Sequence, residues 1–383
     1  MLDFELTEEQ KALVDEARRF TKEKIIPIAG ACDREHRFPT DVFKEAWELG
    51  FVVPGIAPAY GGNGLSEVDN VLLSEELAYG CTGIQTSITA NTLAATPIMI
   101  SDSEALKKKY LGSLLAEPIF AAYAITEPGA GSDAAGIATR ARKDGDAWVL
   151  NGQKCFITNG AWASWYVVFA TVDPALRHKG IMAFVVDRDL PGVSVGKNED
   201  KLGQRASNTA TINFDDVRVP AENVLAPQGE GFKLAMQTFD RTRPDIAAGA
   251  CGIMRRCLEE CVAYAKERKT FGVAIAEHQM VQAMIAEMGI KYEATRLMML
   301  KAAWTIDRGG RNSLVASYSK AFGADSAMQV ATDAVQVFGG NGYITEYPVE
   351  KLMRDAKILQ IYEGTSQIQR MVIAKNLLAG VRC

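Results

Sequence analysis

The spacing of apolar and polar positions divides the chain into three stretches. In the first, Leu13, Ala17 and Phe20 recur at the spacing of one helix face. Thr7 followed by Gln10 predicts a capping box at the start of that helix, and Glu8 and Glu9 stand where its positive end favours acids. Pro27 predicts its end. Val71–Leu77, Leu93–Ile100 and Glu104–Leu114 read as further helices, and Tyr60–Gly64 reads as a loop. The middle stretch changes period. Ala147–Leu150, Gln153–Thr158, Trp165–Thr171, Ile181–Val186, Ala210–Phe214 and Val217–Val219 are short strand-like runs. Asp144-Gly145, Asn151-Gly152 and Asn159-Gly160 predict tight hairpin turns between them. Together they predict a compact β-domain, a barrel or a sandwich. From Gly231 the helical period returns. Val281, Met284, Ile285, Met288 and Tyr292 form one stripe, and Val315, Tyr318 and Phe322 another, both expected to face a core. Long helices in this order suit a bundle. The pattern therefore predicts an α+β chain with units at 1–120, 121–230 and 231–383.

Composition narrows the function classes. The 383 residues are 48% hydrophobic and 23% charged, an ordinary globular balance that excludes disorder and a disulfide-stapled miniprotein. The net charge is -5 with no block of Lys or Arg, so nucleic acid is not an expected partner. Runs such as Tyr166–Val172 are too short to span a bilayer, so no membrane role is expected. Met1-Leu2-Asp3-Phe4-Glu5 resembles neither a signal nor a transit peptide, which predicts a cytoplasmic protein, or a matrix protein if a mitochondrial leader has been removed. Seven cysteines, at 32, 81, 155, 251, 257, 261 and 383, show no C-x-x-C and read as buried thiols rather than a metal site.

Four segments carry candidate chemistry. Gly129-Ala130-Gly131-Ser132-Asp133-Ala134 matches a dinucleotide fingerprint, but hairpin signals follow it where a long helix and a parallel strand should stand. Its small residues still allow backbone N–H groups to approach a phosphate or a ring edge; a plain surface turn is the alternative. Arg268-Lys269-Thr270-Phe271-Gly272 offers cations for a pyrophosphate, or a solvated helix end. Phe338-Gly339-Gly340-Asn341-Gly342 has more glycines than a helix cap needs. Glu363, in Ile361-Tyr362-Glu363-Gly364-Thr365-Ser366-Gln367, is a lone acid in apolar sequence. It is either an exposed loop residue or a carboxylate whose dry surroundings raise its pKa into the range of a general base.

These segments, with Tyr123–Asp133, Arg241-Thr242-Arg243-Pro244 and Thr345–Asp355, resemble the acyl-CoA dehydrogenase family along the whole chain, most nearly its medium-chain branch. The resemblance implies a helical N-terminal domain, a central β-barrel and a C-terminal four-helix bundle. It implies FAD as cofactor, a homotetramer, an acyl-CoA substrate and an electron-transferring flavoprotein as acceptor. By the same resemblance Glu363 is the catalytic base. Ile125, Thr126 and Ser132 meet the flavin, and Phe156 and Thr158 line its face, with Phe where the medium-chain enzymes often carry Trp. Arg268, Thr270, Phe271, Gln279, Gln336, Gly339 and Gly340 meet the FAD of a neighbouring subunit, and Thr365 and Gln367 close the site. Ser132, Asp240, Arg243, Tyr362 and Gly364 stand near the acyl-CoA. The implied reaction is α,β-dehydrogenation of a saturated acyl-CoA. An acyl-CoA oxidase, a dehydrogenase of cyclic acyl-CoA and a non-catalytic flavin- or CoA-binding protein are the alternatives. Thr89 replaces an acid near the acyl-pocket floor, and Asn91 nearby cannot act as a second base.

Overall fold

The computed structural model describes residues 4–381, so the first three residues, Arg382 and Cys383 lie outside it. The N-terminal part is helical: α1 (Glu8–Phe20), α2 (Ile26–Glu35), α3 (Thr40–Glu48), α4 (Glu67–Gly80), α5 (Thr82–Met99), α6 (Glu104–Leu106) and α7 (Gly112–Ala116). Thr7 and Gln10 form the expected reciprocal cap. Pro27 does not end the first helix. A wider π turn over Thr21–Ile25 carries the chain into α2, where Pro27 occupies the first turn and its missing N–H costs no internal bond.

The middle part holds β1 (Phe120–Ala124), β2 (Arg140–Asp144), β3 (Ala147–Thr158), β4 (Ala163–Thr171), β5 (Ile181–Asp187), β6 (Val193–Asn198), β7 (Thr209–Pro220) and β8 (Val224–Ala226). Their order is β6-β7-β3-β2-β4-β5-β8, with β1 parallel to β4. A single bridge, Arg140 to Thr171, joins the two halves. Leu150, Ile212 and Phe214 from one half pack with Tyr166, Val168 and Phe184 from the other over one core. The alternate residues Trp165, Val167, Phe169 and Val185 face the N-terminal helices. Burial on both faces is why β4 and β5 read as unbroken apolar runs.

Only one of the three predicted turns joins a hairpin. Gly145 turns β2 into β3. Asn151-Gly152 lies inside β3, where the register slips between Leu150 and Gly152, so a bulge replaces the turn. Asn159 leads from β3 to β4, but those strands do not pair.

The C-terminal part consists of α8 (Gly231–Glu267), α9 (Gln279–Asp307), α10 (Ser313–Phe338), α11 (Val349–Lys357) and α12 (Ser366–Leu378); a two-strand ribbon, β9 (Lys269–Thr270) and β10 (Val273–Ala274), links α8 to α9. Met288 and Val315 are core as predicted, whereas Phe322 is exposed beside an apolar hollow on α9, α10 and α12.

Buried charges lock α4 against this bundle. Glu76 takes both Arg18 and Arg255, and Glu75 takes Arg255, Arg296 and the Tyr292 hydroxyl. Paired this way, the two carboxylates avoid the large cost of burial alone.

Candidate active site

The three parts meet around one cavity of about 1340 Å³. Its walls come from α4 and α5, from the strip that follows β1, from the end of β3, from α8, and from the segment between α11 and α12.

Glu363 lies in that last segment. Its φ is +51°, and Gly364 follows at +89°. Side chains from elsewhere hold this conformation. Lys320 Nζ donates to the Gly364 carbonyl at 2.6 Å. Gln369 Nε2 donates to the carbonyls of Glu363 and Gly364 at 3.2 and 3.0 Å. Thr365 caps α12 by accepting from the Ile368 N–H at 3.1 Å. The φ of +89° itself calls for glycine, and a Cβ at Gly364 would stand 2.7 Å from Gln369 Nε2, so that amide would have to give way.

The Glu363 side chain turns into the cavity, where Thr242 Oγ1 donates to Oε2 at 2.7 Å. Burial pushes its pKa up to about 7 and Asp245 adds to the rise, while the Thr242 hydroxyl, Arg243 and Lys320 pull it down. A carboxylate so poised can take a proton near neutral pH. Burial lowers Lys320 to about 8, offset in part by Glu363. Tyr123, buried with no partner for its hydroxyl, stands near enough for the Glu363 charge to raise its pKa.

The helix that supplies Thr242 is shaped by Pro244. Proline has no N–H to give the Asp240 carbonyl four residues back, and the Asn312 amide donates to that carbonyl instead. The Asp240 carboxylate accepts from Arg243 at 2.6 Å. Arg243, Tyr362, Gly364 and Thr365 line the cavity with Glu363; Asp240 is not among its walls and touches one of them, Arg243, by its ion pair. Tyr362 is reached by a chain of amides and hydroxyls, with Thr86 donating to Gln204 Oε1 and Gln204 Nε2 to the Tyr362 hydroxyl.

The facing wall is built on a buried ion pair. Lys154 Nζ donates to Glu127 at 2.7 Å and to the Ile125 carbonyl at 3.0 Å; Glu127 also accepts the N–H groups of Ala138 and Thr139. The Cys155 N–H donates to the Thr126 carbonyl. These bonds lay the strip Ile125–Asp133 along the end of β3. Ile125, Thr126, Ser132, Phe156 and Thr158 all line the cavity. Phe156 has φ +58° and leaves 65% of its surface exposed there. Nothing lies within 4 Å of a Cβ built on Gly129 or Gly131. An exposed aromatic, an open glycine backbone and three hydroxyls fit a flat ring system with a polar edge, as the isoalloxazine of FAD has.

The other predicted cofactor residues lie elsewhere. Arg268, Thr270, Phe271, Gln279, Gln336, Gly339 and Gly340 are absent from the cavity walls. They gather at the far end of α8, where Tyr264 stacks on Phe338 and Thr270 Oγ1 lies 2.8 Å from His278. Phe271 is 97% exposed and Tyr343 86%. Gln367 is exposed on the first turn of α12.

Sequence reading passed over Thr242, Lys320, Gln369 and Asp245. Thr242 stood inside a quoted motif, and Pro244 within a helical pattern marked a special site there. Lys320 gave no local signal, because the loop it holds is distant in sequence; Gln369, on the first turns of α12, lies close to that loop but carries no motif that marks it. Asp245, buried just after Pro244, was an acid on an apolar helix face.

Three family descriptions match the chain: acyl-CoA dehydrogenase N-terminal domain over residues 7–118, middle domain over 122–217 and C-terminal domain over 229–378. A Caenorhabditis briggsae protein named probable medium-chain specific acyl-CoA dehydrogenase 2, mitochondrial, is 48% identical over 99% of this chain and 93% of its own. Butyryl-CoA dehydrogenase from Megasphaera elsdenii is 40% identical and superposes with a TM-score of 0.96 over 98% of this chain and all of its own. A structure described as the FAD complex of PigA is 30% identical, with a TM-score of 0.94 over the full length of both chains. With its three matched domains and these full-length likenesses, the chain belongs to the acyl-CoA dehydrogenase family.

Proposed function

We propose that this enzyme removes hydrogen from the α and β carbons of a saturated acyl-CoA, with Glu363 as the base and an electron-transferring flavoprotein as the acceptor. The observation that carries the reading is the Glu363 carboxylate: turned into a large cavity, held by Thr242 and poised near pH 7. Ile125, Thr126, Ser132, Phe156 and Thr158 would hold FAD, which when bound would supply the hydride acceptor. The chain's own residues do the rest. Lys320 and Gln369 fix the loop so that the carboxylate meets the α-carbon. Among the described residues the Glu363 N–H has no backbone acceptor, which leaves it to donate to the thioester oxygen as charge develops there. Arg243 and Lys320 favour the ionised carboxylate before the proton arrives. Tyr362 and Gly364 flank the acyl group.

The same reading divides the chain into units at 1–120, 121–230 and 231–383. It also gives Arg268, Thr270, Phe271, Gln279, Gln336, Gly339 and Gly340 to the FAD of a neighbouring subunit in a homotetramer, with Thr365 and Gln367 closing the site. The exposure of Arg268, Phe271, Gln279, Gln336, Gly339 and Gly340, away from the cavity, supports the assignment to a neighbouring subunit. No helix among the described residues is long and apolar enough to cross a membrane, in keeping with a protein that works in the cytoplasm or the matrix.

Glu363→Gln tests the base. The variant is expected to keep FAD and to lose anaerobic bleaching of the flavin by butyryl- or hexanoyl-CoA by about a hundred- to ten-thousandfold. Bleaching at the native rate removes Glu363 from the role. Rapid oxygen uptake with acyl-CoA would make the enzyme an oxidase.

A further inference from the structure

The cavity beyond the base is not an alkyl sleeve. Leu93, Met99, Ile100, Ile246 and Ile306 supply apolar surface, but Asp245, Glu67, Asn70, Gln85, Thr89 and Thr92 share its walls. Asp245 lies one helical turn beyond Thr242 on α8, so it follows the base along the same helix face. It is 8% exposed, and its Oδ1 has no hydrogen-bond partner. Thr92 Oγ1, on α5 in the same cavity lining, is likewise buried and unpartnered. Gln85 is engaged with Ser74 and Thr89 and does not reach Asp245.

A buried carboxyl oxygen without a donor is costly, and a passing methylene chain would strip away whatever water serves it. The groups around it decide which donor fits. Asp245 has another acid beside it, Glu67, whose carboxyl burial and the neighbouring Asp245 and Asp307 push up to about 8; a second carboxylate on the substrate would meet the Asp245 charge with no cation paired to it among the described residues. Arg241 shares the cavity wall and disfavours an ammonium. The hydroxyls of Ser74 and Thr89 already favour the Asp245 carboxylate as hydrogen-bonding neighbours, and Oδ1 is still left without a partner, so a further neutral hydroxyl is the donor that fits.

We infer that the acyl group this enzyme takes carries a hydroxyl beyond its reacting carbons, and that Asp245 accepts the hydrogen bond from it. Thr92, one turn past Thr89 on α5, has an unpartnered hydroxyl in the same cavity. Asp245 is thus a specificity residue. The inference rests on the reading of the cavity as an acyl-CoA site, and it names the class of acyl group.

The test is anaerobic flavin bleaching of the holoenzyme by hexanoyl-CoA and by its counterparts hydroxylated on each carbon past the β-carbon. One hydroxylated acyl-CoA is expected to exceed hexanoyl-CoA in kcat/KM by on the order of tenfold to a hundredfold. In Asp245→Val that preference is expected to vanish, with hexanoyl-CoA gaining. Asp245→Asn, whose amide oxygen still accepts, is expected to keep part of it. Equal rates with plain and hydroxylated chains, or a preference unchanged in Asp245→Val, would overturn the inference while leaving the dehydrogenase reading intact. A faster reaction with an aminohexanoyl-CoA or with glutaryl-CoA would overturn the choice of a hydroxyl. Bleaching by none of these acyl-CoAs would bring down the acyl-CoA reading itself.

Discussion

Glu363-Gly364 and Phe271-Gly272 have the same backbone signature. Both pairs have positive φ at both residues, +51° and +89° in the first, +52° and +86° in the second. Their surroundings differ completely. Phe271-Gly272 is the two-residue link of a ribbon in which Thr270 pairs with Val273, a setting where positive φ is the ordinary solution. Its side chain points outward and is almost wholly exposed. Glu363-Gly364 has no such ladder. Lys320, Gln369 and the cap at Thr365 hold it from other elements, and its side chain turns inward to Thr242. A strained pair of residues is therefore no mark of a catalytic site by itself. What sets the inward pair apart is positive φ held by side chains of other elements, Lys320 above all, with a carboxylate turned into the cavity. The outward pair is satisfied locally, and its exposed aromatic is left for something outside the chain.

The sharpest way to break this comparison is to add the same methyl group to both glycines. At Gly364 the new Cβ meets Gln369 Nε2 at 2.7 Å and the backbone cannot keep its φ cheaply. Gly364→Ala is expected to move the Glu363 carboxylate off its target and to lower kcat by a hundredfold or more, on the order of what a misplacement of about 1 Å costs. Steady-state kinetics checks this, with FAD content measured alongside to show that the cofactor stays bound. Activity within a few-fold of native would mean that the loop is not held for aiming.

A milder change leaves the loop in place and alters only what the carboxylate feels. Glu363 must be ionised to take a proton, so kcat/KM should rise with pH through about 7 in the native enzyme. Thr242 donates to the carboxylate and favours its charged form. Thr242→Val keeps the shape and removes the donor, so the rise is expected to move to higher pH by about one unit, the equivalent of one hydrogen bond to a charge. The sign of the stability effect runs the other way from a paired acid. A folded-state pKa above the unfolded value means that ionising Glu363 costs stability as pH rises from about 4.5 to about 7, and Thr242→Val should increase that cost. Thermal denaturation across that range, together with the pH–rate profile, checks both. An unshifted profile would remove Thr242 from the electrostatics of the site.

How much of this was legible beforehand follows the same division. The alternation of the helical and strand periods marked the three parts, because the buried faces of helices and strands repeat regularly. Glu363 stood out because an acid amid apolar residues is unusual. Asn151-Gly152 misled because a strand bulge and a hairpin turn ask for the same residues, and only the partner strand decides between them. Pro27 misled because a π turn just before it absorbed the missing donor. Lys320 and Gln369 were invisible. Lys320 acts on Gly364 from α10, and no spacing in sequence records a contact set by tertiary packing; Gln369 acts from the next turns of its own segment, where an exposed-looking amide gives no hint of the bond it makes.

The smallest effects should come from the outward pair, and their smallness is the point. A Cβ at Gly272 meets nothing within 4 Å, so Gly272→Ala should cost only the conformational penalty of an L-residue at positive φ, about 1 kcal/mol, and leave the pH–rate profile unchanged. Phe271→Ala removes no contact inside the ribbon beyond the edge of His278, so it too should leave the chain's own stability nearly native. If this end of α8 serves the cofactor of a second subunit, Phe271→Ala will instead show itself in FAD retention during gel filtration and in the concentration at which the oligomer dissociates. Kinetics measured with saturating added FAD should then be restored. Loss of activity that excess FAD does not restore would place Phe271 with Glu363, inside the chemistry, and erase the distinction between the two pairs.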